Sequence, residues 1–170
     1  MKLIFQFIII LFLLSPQKTL GQDTTSSILK NWTILKTQLQ RRTNVVINLV
    51  QILNESNKVD KEVLTNLKIH ATDIFIYLDT LKHFDSLSID LTMKKYNTLN
   101  ESLTKTIILI ESRTKFNNQI DIINLMAQLN GAENRIKVAR YEYNESCKAF
   151  HRPGLQFWEK GDAKAVKVEF

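Results

Sequence analysis

The sequence predicts an all-α protein, an antiparallel four-helix bundle with long first and last helices behind an N-terminal hydrophobic segment. Three observations carry that expectation. Beyond residue 27, apolar residues recur at alternating steps of three and four over most of the chain, the spacing of a helical stripe. Only four glycines and two prolines occur in 170 residues, too few for the many tight turns of a β fold. The apolar pattern breaks at short polar stretches, so the helices are joined by brief links, as in an up-and-down bundle. The length suits one domain with a sizeable core.

The first element reads as targeting sequence. Residues 3–14 are apolar except for Gln6, with Lys2 before them and polar residues and Gly21 after. Twelve residues make about 18 Å of helix, well short of the roughly 30 Å hydrocarbon core of a bilayer, so an export signal is favoured over a stable span. A cut after Gly21, with Thr19 two residues before it, resembles the small-residue cleavage pattern and would leave Gln22 as the new N-terminus. Left uncut, the same segment would be a signal anchor. The expected division is a signal peptide or signal anchor over 1–21, a helical bundle over 22–152 and a C-terminal tail over 153–170.

After a short polar stretch, QDTTSS (22–27), the first helix carries Ile28, Trp32, Leu35, Leu39, Val46, Leu49 and Leu53 at heptad spacing, and it breaks in NESNK (54–58), where Asn and Ser compete with the helical backbone. The second starts at Asp60, a plausible N-cap, and aligns Leu64, Leu67, Ala71, Ile74, Leu78 and Leu81 on one face. A third is expected over residues 88–111 with Tyr96, Leu99, Leu103, Ile107 and Ile110 facing inward. The fourth opens after Asn118 and runs to about His151, carrying Leu125, Leu129, Ala132, Ile136, Ala139, Tyr143, Ser146 and Phe150. Pro153 and Gly154 end it. In the tail, Phe157 and Trp158 are followed by alternating Val166, Val168 and Phe170, which suggests an extended arm that docks or stays mobile.

One slot of the first seam is charged. Arg41 is a step off the stripe and can reach solvent, but Arg42 occupies the position between Leu39 and Val46. An unpaired buried guanidinium costs several kcal/mol, so Arg42 needs a carboxylate. Arg42 lies fourteen residues beyond Ile28, and Glu133 fourteen beyond Gln119. With the first and last helices antiparallel and in register, middle meets middle, and an Arg42–Glu133 pair is expected. Its role would be to fix register, as polar seam residues can.

Other residue sets point away from chemistry. His70, His83 and His151 show no metal-ligand spacing, and Cys147 is the only cysteine, so no disulfide or multi-cysteine site is expected. His70 reads as a hydrogen-bonded structural histidine and Cys147 as a small buried hydrophobe. No catalytic residues, metal or cofactor are expected. The net charge of +6 is scattered along the chain, with Lys2 and Lys18 inside the targeting segment, which argues against a nucleic-acid surface. Asn-Xaa-Ser/Thr triplets at 31, 54, 100 and 144 fit chance in a chain rich in Asn, Ser and Thr. The aromatic set Tyr141, Tyr143, Phe150, Phe157 and Trp158 gathers where the fourth helix meets the tail. It would brace that end of the bundle, or, through Tyr141, Phe157 and Trp158, form a recognition surface for a partner or a membrane interface.

Two stretches carry a family resemblance. Trp32, followed by LQRRTNVVINLV (39–50), is similar to the LemA family's pattern of tryptophan, leucine, a basic pair and Asn-Leu-Val. LNGAENRIKVARYEYN (129–144) is similar to its Glu-Asn-Arg-Ile, Ala-Arg and Tyr-Asn run, and the terminal KVEF (167–170) also fits. The resemblance implies a bundle attached to the cell envelope through an N-terminal hydrophobic helix, with no established enzymatic activity. Two departures are visible: QDTTSS replaces the family's Tyr-Asn pair and aliphatic residues, and HRPG (151–154) passes almost directly into the tail. The expected function is a non-enzymatic scaffold or interaction module of the cell envelope, membrane-anchored or released after cleavage near Gly21. Its partner would be an envelope protein or the membrane surface, with no nucleic acid and no small-molecule substrate. A soluble secreted helical ligand or binding factor is the alternative.

Overall fold

The computed structural model describes residues 20–56, 59–82, 84–112 and 119–158, with side chains from residue 26 onward. Helix α1 spans Leu20–Glu55, α2 Lys61–Thr80, α3 Ser86–Glu111 and α4 Ile120–Ala149, followed by a 3₁₀ turn at Pro153–Leu155. No strand occurs among the described residues. Helix α1 packs against both α2 and α4, and α3 packs against α2.

Contacts between helix pairs fix the directions. Asn31 donates to the Glu142 carbonyl, Trp32 lies against Tyr143 and Arg42 meets Glu133. Numbers rise along α1 as they fall along α4, so the two are antiparallel. Helices α2 and α3 show the same relation through His70 with Ser102, Asp73 with Lys95 and Tyr77 with Ser88.

The heptad positions become the core. Ile28, Trp32, Leu35, Leu39, Val46, Leu49 and Leu53 of α1 are buried together with Leu64, Leu67, Ala71, Ile74 and Leu78 of α2. From α3 and α4 come Tyr96, Leu99, Leu103, Ile110, Leu125, Leu129, Ala132, Ile136, Ala139 and Tyr143. In α3, Ile107 is only half-buried, and Thr106 takes the inward position. Its hydroxyl is satisfied by the Ser102 carbonyl 3.0 Å away, so the buried polar atom costs little.

The helix ends have local causes. Asp60 caps α2, its carboxylate accepting from the Glu62 amide at 2.8 Å. Asp85, rather than a residue nearer Ser88, caps α3 by accepting from the Ser88 amide at 2.7 Å, which starts that helix at Ser86 instead of residue 88. The cap position of α4 is Gln119, with no side-chain hydrogen bond; Asn118, expected to cap it, lies outside the described residues.

Helix α1 departs from expectation at its start, because the polar stretch 22–27 is helical and not a separate lead-in. Extending a helix already nucleated by the Ile28–Leu53 seam costs only tenths of a kcal/mol for each Ser or Thr. Among the described residues no helix is long and apolar enough to cross a membrane. The segment expected to target the chain, residues 1–21, lies almost wholly outside the described residues.

Candidate functional site

Arg42 sits in the middle of the seam, 7% exposed. Its Nε lies 2.9 Å from Glu133 Oε2. The N–H is not aimed at that oxygen, so the contact is an ion pair without a well-formed hydrogen bond. Nη1 meets no hydrogen-bond acceptor among the described residues. The guanidinium carbon instead stands 5.1 Å from the centre of the Tyr96 ring, a cation–π contact of the kind that supports a poorly hydrated guanidinium. The Tyr96 hydroxyl closes the triangle by donating to Glu133 at 3.3 Å. Helices α1, α3 and α4 each supply one corner. A slip of one helical turn between α1 and α4 would strand both charges, which is how such a layer sets register.

A second polar arrangement holds the chain after α4. The Phe150 and His151 turn closes as a Schellman motif: the His151 amide donates to Lys148 at 3.0 Å and the Arg152 amide to Cys147 at 2.8 Å. His151 takes the left-handed position, φ 54°, where glycine is usual. The 3₁₀ turn then folds the chain back along α4. Asn144 clamps it, with Nδ2 donating to the Phe157 carbonyl at 2.9 Å and Oδ1 accepting from the Phe157 amide at 2.8 Å. The Tyr143 hydroxyl donates to the Leu155 carbonyl.

This clamp corrects the expected recognition surface. Phe157 is fully buried, 6.4 Å from the Trp32 ring and 6.0 Å from Tyr96, so it is core. Trp158 is half-buried, its amide directed at the Met93 sulfur. Only Tyr141 stands well exposed, at 66%. The three residues do not share one surface. The cause is the amide of Asn144, which satisfies both main-chain groups of Phe157 as a neighbouring strand would and so lets that backbone enter a buried site. Tyr143 and Asn144 end the second family-like stretch, yet pairing of a side chain with a backbone beyond the helix end has no periodicity to reveal it.

Neighbouring titratable groups are quiet. Burial pushes the Tyr143 hydroxyl far up, helped by the adjacent Cys147, and burial raises the Cys147 thiol despite its contact with Tyr143. A buried protonated thiol is a poor nucleophile. His70 Nδ1 is 2.6 Å from Ser102 Oγ, a structural bond between α2 and α3. His83 lies outside the described residues. No group of three or more His, Cys, Asp or Glu that could hold a metal occurs among the described residues.

Two concavities mark the outside. A shallow groove of about 340 Å³ runs between α1 and α4 beside Ile34, Gln38, Arg135, Val138 and Glu142. A larger cleft of about 510 Å³ opens at the bundle end, among Ile28, Phe84, Asp85, His151, Arg152 and Leu155.

No curated protein matches the chain. The family model described as LemA family matches residues 31–169, from the residue before Trp32, across the Arg42 and Glu133 layer and the Tyr143 and Asn144 clamp, almost to the C-terminus. Since that match takes in most of the sequence, the chain belongs to the LemA family.

Proposed function

We infer that this chain is a non-enzymatic scaffold or interaction module of the cell envelope, whose partner is another envelope protein or the membrane surface. One observation carries the reading: the contrast between a cross-braced interior and large apolar side chains left exposed on the surface. Inside, Arg42, Glu133 and Tyr96 are engaged with one another, and Asn144 and Tyr143 are taken up in holding the tail. Outside, Ile69, Ile76, Leu87, Ile108, Val138 and Tyr141 are all more than half exposed, surface that a binding partner would cover. The unbroken run of α1 from Leu20 supports the anchored form, since it leaves no flexible break between bundle and targeting segment within the described residues.

Fractionation of the native cell with intact-mass measurement tests this. The reading expects the uncut chain in washed membranes. A mass beginning at Gln22 excludes the anchor, and free protein of that mass in the medium would favour the soluble secreted ligand.

A further inference from the structure

We propose that the cleft at the bundle end holds the anionic headgroup of a phospholipid, so that this end of the protein rests on the membrane surface. The proposal rests on the anchored reading above and adds to it a site and a ligand class. At about 510 Å³ the cleft falls in the range of small-ligand sites, roughly 300–1,000 Å³. Its floor is apolar: Ile28 is buried, and Phe84 and Leu155 are half-buried. Its charged edge comes from Arg152, which is exposed, with the exposed His151 imidazole beside it. A guanidinium matches a phosphate group through paired N–H donors.

The acidic residue at the cleft is turned to the start of its own helix. Asp85 directs Oδ1 onto the Ser88 amide and hydroxyl, at 2.7 and 2.6 Å, where its negative charge offsets the positive end of α3. Nearby, Lys148 and Glu145 neutralise each other at 2.7 Å. His151 and Arg152 are fixed in place by the Schellman turn, and His151 keeps a left-handed backbone that glycine would adopt without strain. Strained backbone retained beside a cleft is a pointer to use.

The rim and the chain direction select a lipid over a free anion. Leu87, beside the cleft residue Ser86, is 75% exposed, and Leu29, beside Ile28, is 44% exposed. Two exposed leucines, each next in sequence to a residue of the cleft, suit the boundary between headgroups and acyl chains. Helix α1 continues from Ile28 back to Leu20, about 12 Å at 1.5 Å per residue, and the apolar run 3–14 precedes it in sequence. The same end of the bundle therefore carries the described start of α1 and the cleft.

The full chain should be reconstituted into nanodiscs of phosphatidylcholine alone or mixed with phosphatidylglycerol, and amide exchange followed by mass spectrometry over residues 84–87 and 151–156. Exchange there is expected to slow several-fold in the anionic discs. The Arg152→Gln variant should lose that protection, and Leu87→Ser should weaken it; both residues are exposed, and unchanged melting would verify the fold. Equal exchange in the two lipids, with the chain retained on the discs, overturns the headgroup site while anchoring stands. Failure of the chain to stay with the discs removes the anchor and the proposal together. Protection reproduced by inorganic phosphate in detergent would make the cleft a free-anion site and also refute the lipid.

Discussion

Replacing Glu133 by alanine would leave the Arg42 guanidinium in the seam without its counter-charge, and the cost can be worked from the geometry. At an effective dielectric of about 20, unit charges about 4 Å apart attract by roughly 4 kcal/mol. Two features lower that figure. The Glu133 side chain is 27% exposed, so water already screens part of the field, and the Arg42 N–H is not aligned with the carboxylate. The Tyr96 ring stays in place and retains its share of the cation. The expected loss is about 2–3 kcal/mol, below the full penalty for breaking a deeply buried pair. For a chain of this length that lowers Tm by roughly 4–12 °C. The assay is urea unfolding of wild type, Glu133→Ala, Glu133→Leu, Arg42→Met and the double variant Arg42→Met/Glu133→Leu. The double variant should fall within about 1 kcal/mol of wild type or exceed it, because an apolar pair removes both desolvation terms. A Glu133→Ala cost under about 0.5 kcal/mol, or single-variant losses that simply add, would refute the coupling.

Asn144→Ala removes both hydrogen bonds that hold Phe157 and should cost about 2–4 kcal/mol, with proteolytic cleavage appearing near residue 157 before the bundle unfolds. Phe157→Ala should cost about 3–5 kcal/mol by urea unfolding, since it opens a cavity beside Trp32 and Tyr96. His151→Gly should raise stability by about 1 kcal/mol in the same measurement by relieving the left-handed backbone, whereas His151→Val should lower it. Stability should also fall at alkaline pH. The folded-state pKa of Cys147 is raised by burial, so its contribution is intact below the ordinary thiol pKa of about 8.5 and is lost as pH rises above it. Urea midpoints between about pH 7 and 10 should decline, less steeply in Cys147→Ser.

The seam residues were legible because burial along a helix repeats with a period the sequence displays. Leu35, Leu39, Leu67, Ile74, Leu99 and Ile136 are fully or almost fully buried where that period places them. The meeting of Arg42 and Glu133 was legible for a related reason: one charge in an apolar stripe needs an opposite charge at the same height, and antiparallel register supplies the height. What the pattern could not carry was anything set by the hydrogen bonds of individual polar side chains. The inward turn of Phe157 depends on the Asn144 amide, and the Thr106 position depends on a hydroxyl bonded within its own helix. Helix α1 began earlier than expected because cooperativity with the seam outweighs the weak propensity of QDTTSS.

Phe157 closes the core against Trp32, so the first helix finds its last packing partner only near the end of the chain. Long loops must close before that contact forms, which slows completion of the fold. A polypeptide emerging N-terminus first therefore lacks this contact until residue 157 has been synthesised. Whatever holds the chain extended short of residue 157 therefore also withholds this closing contact of the core.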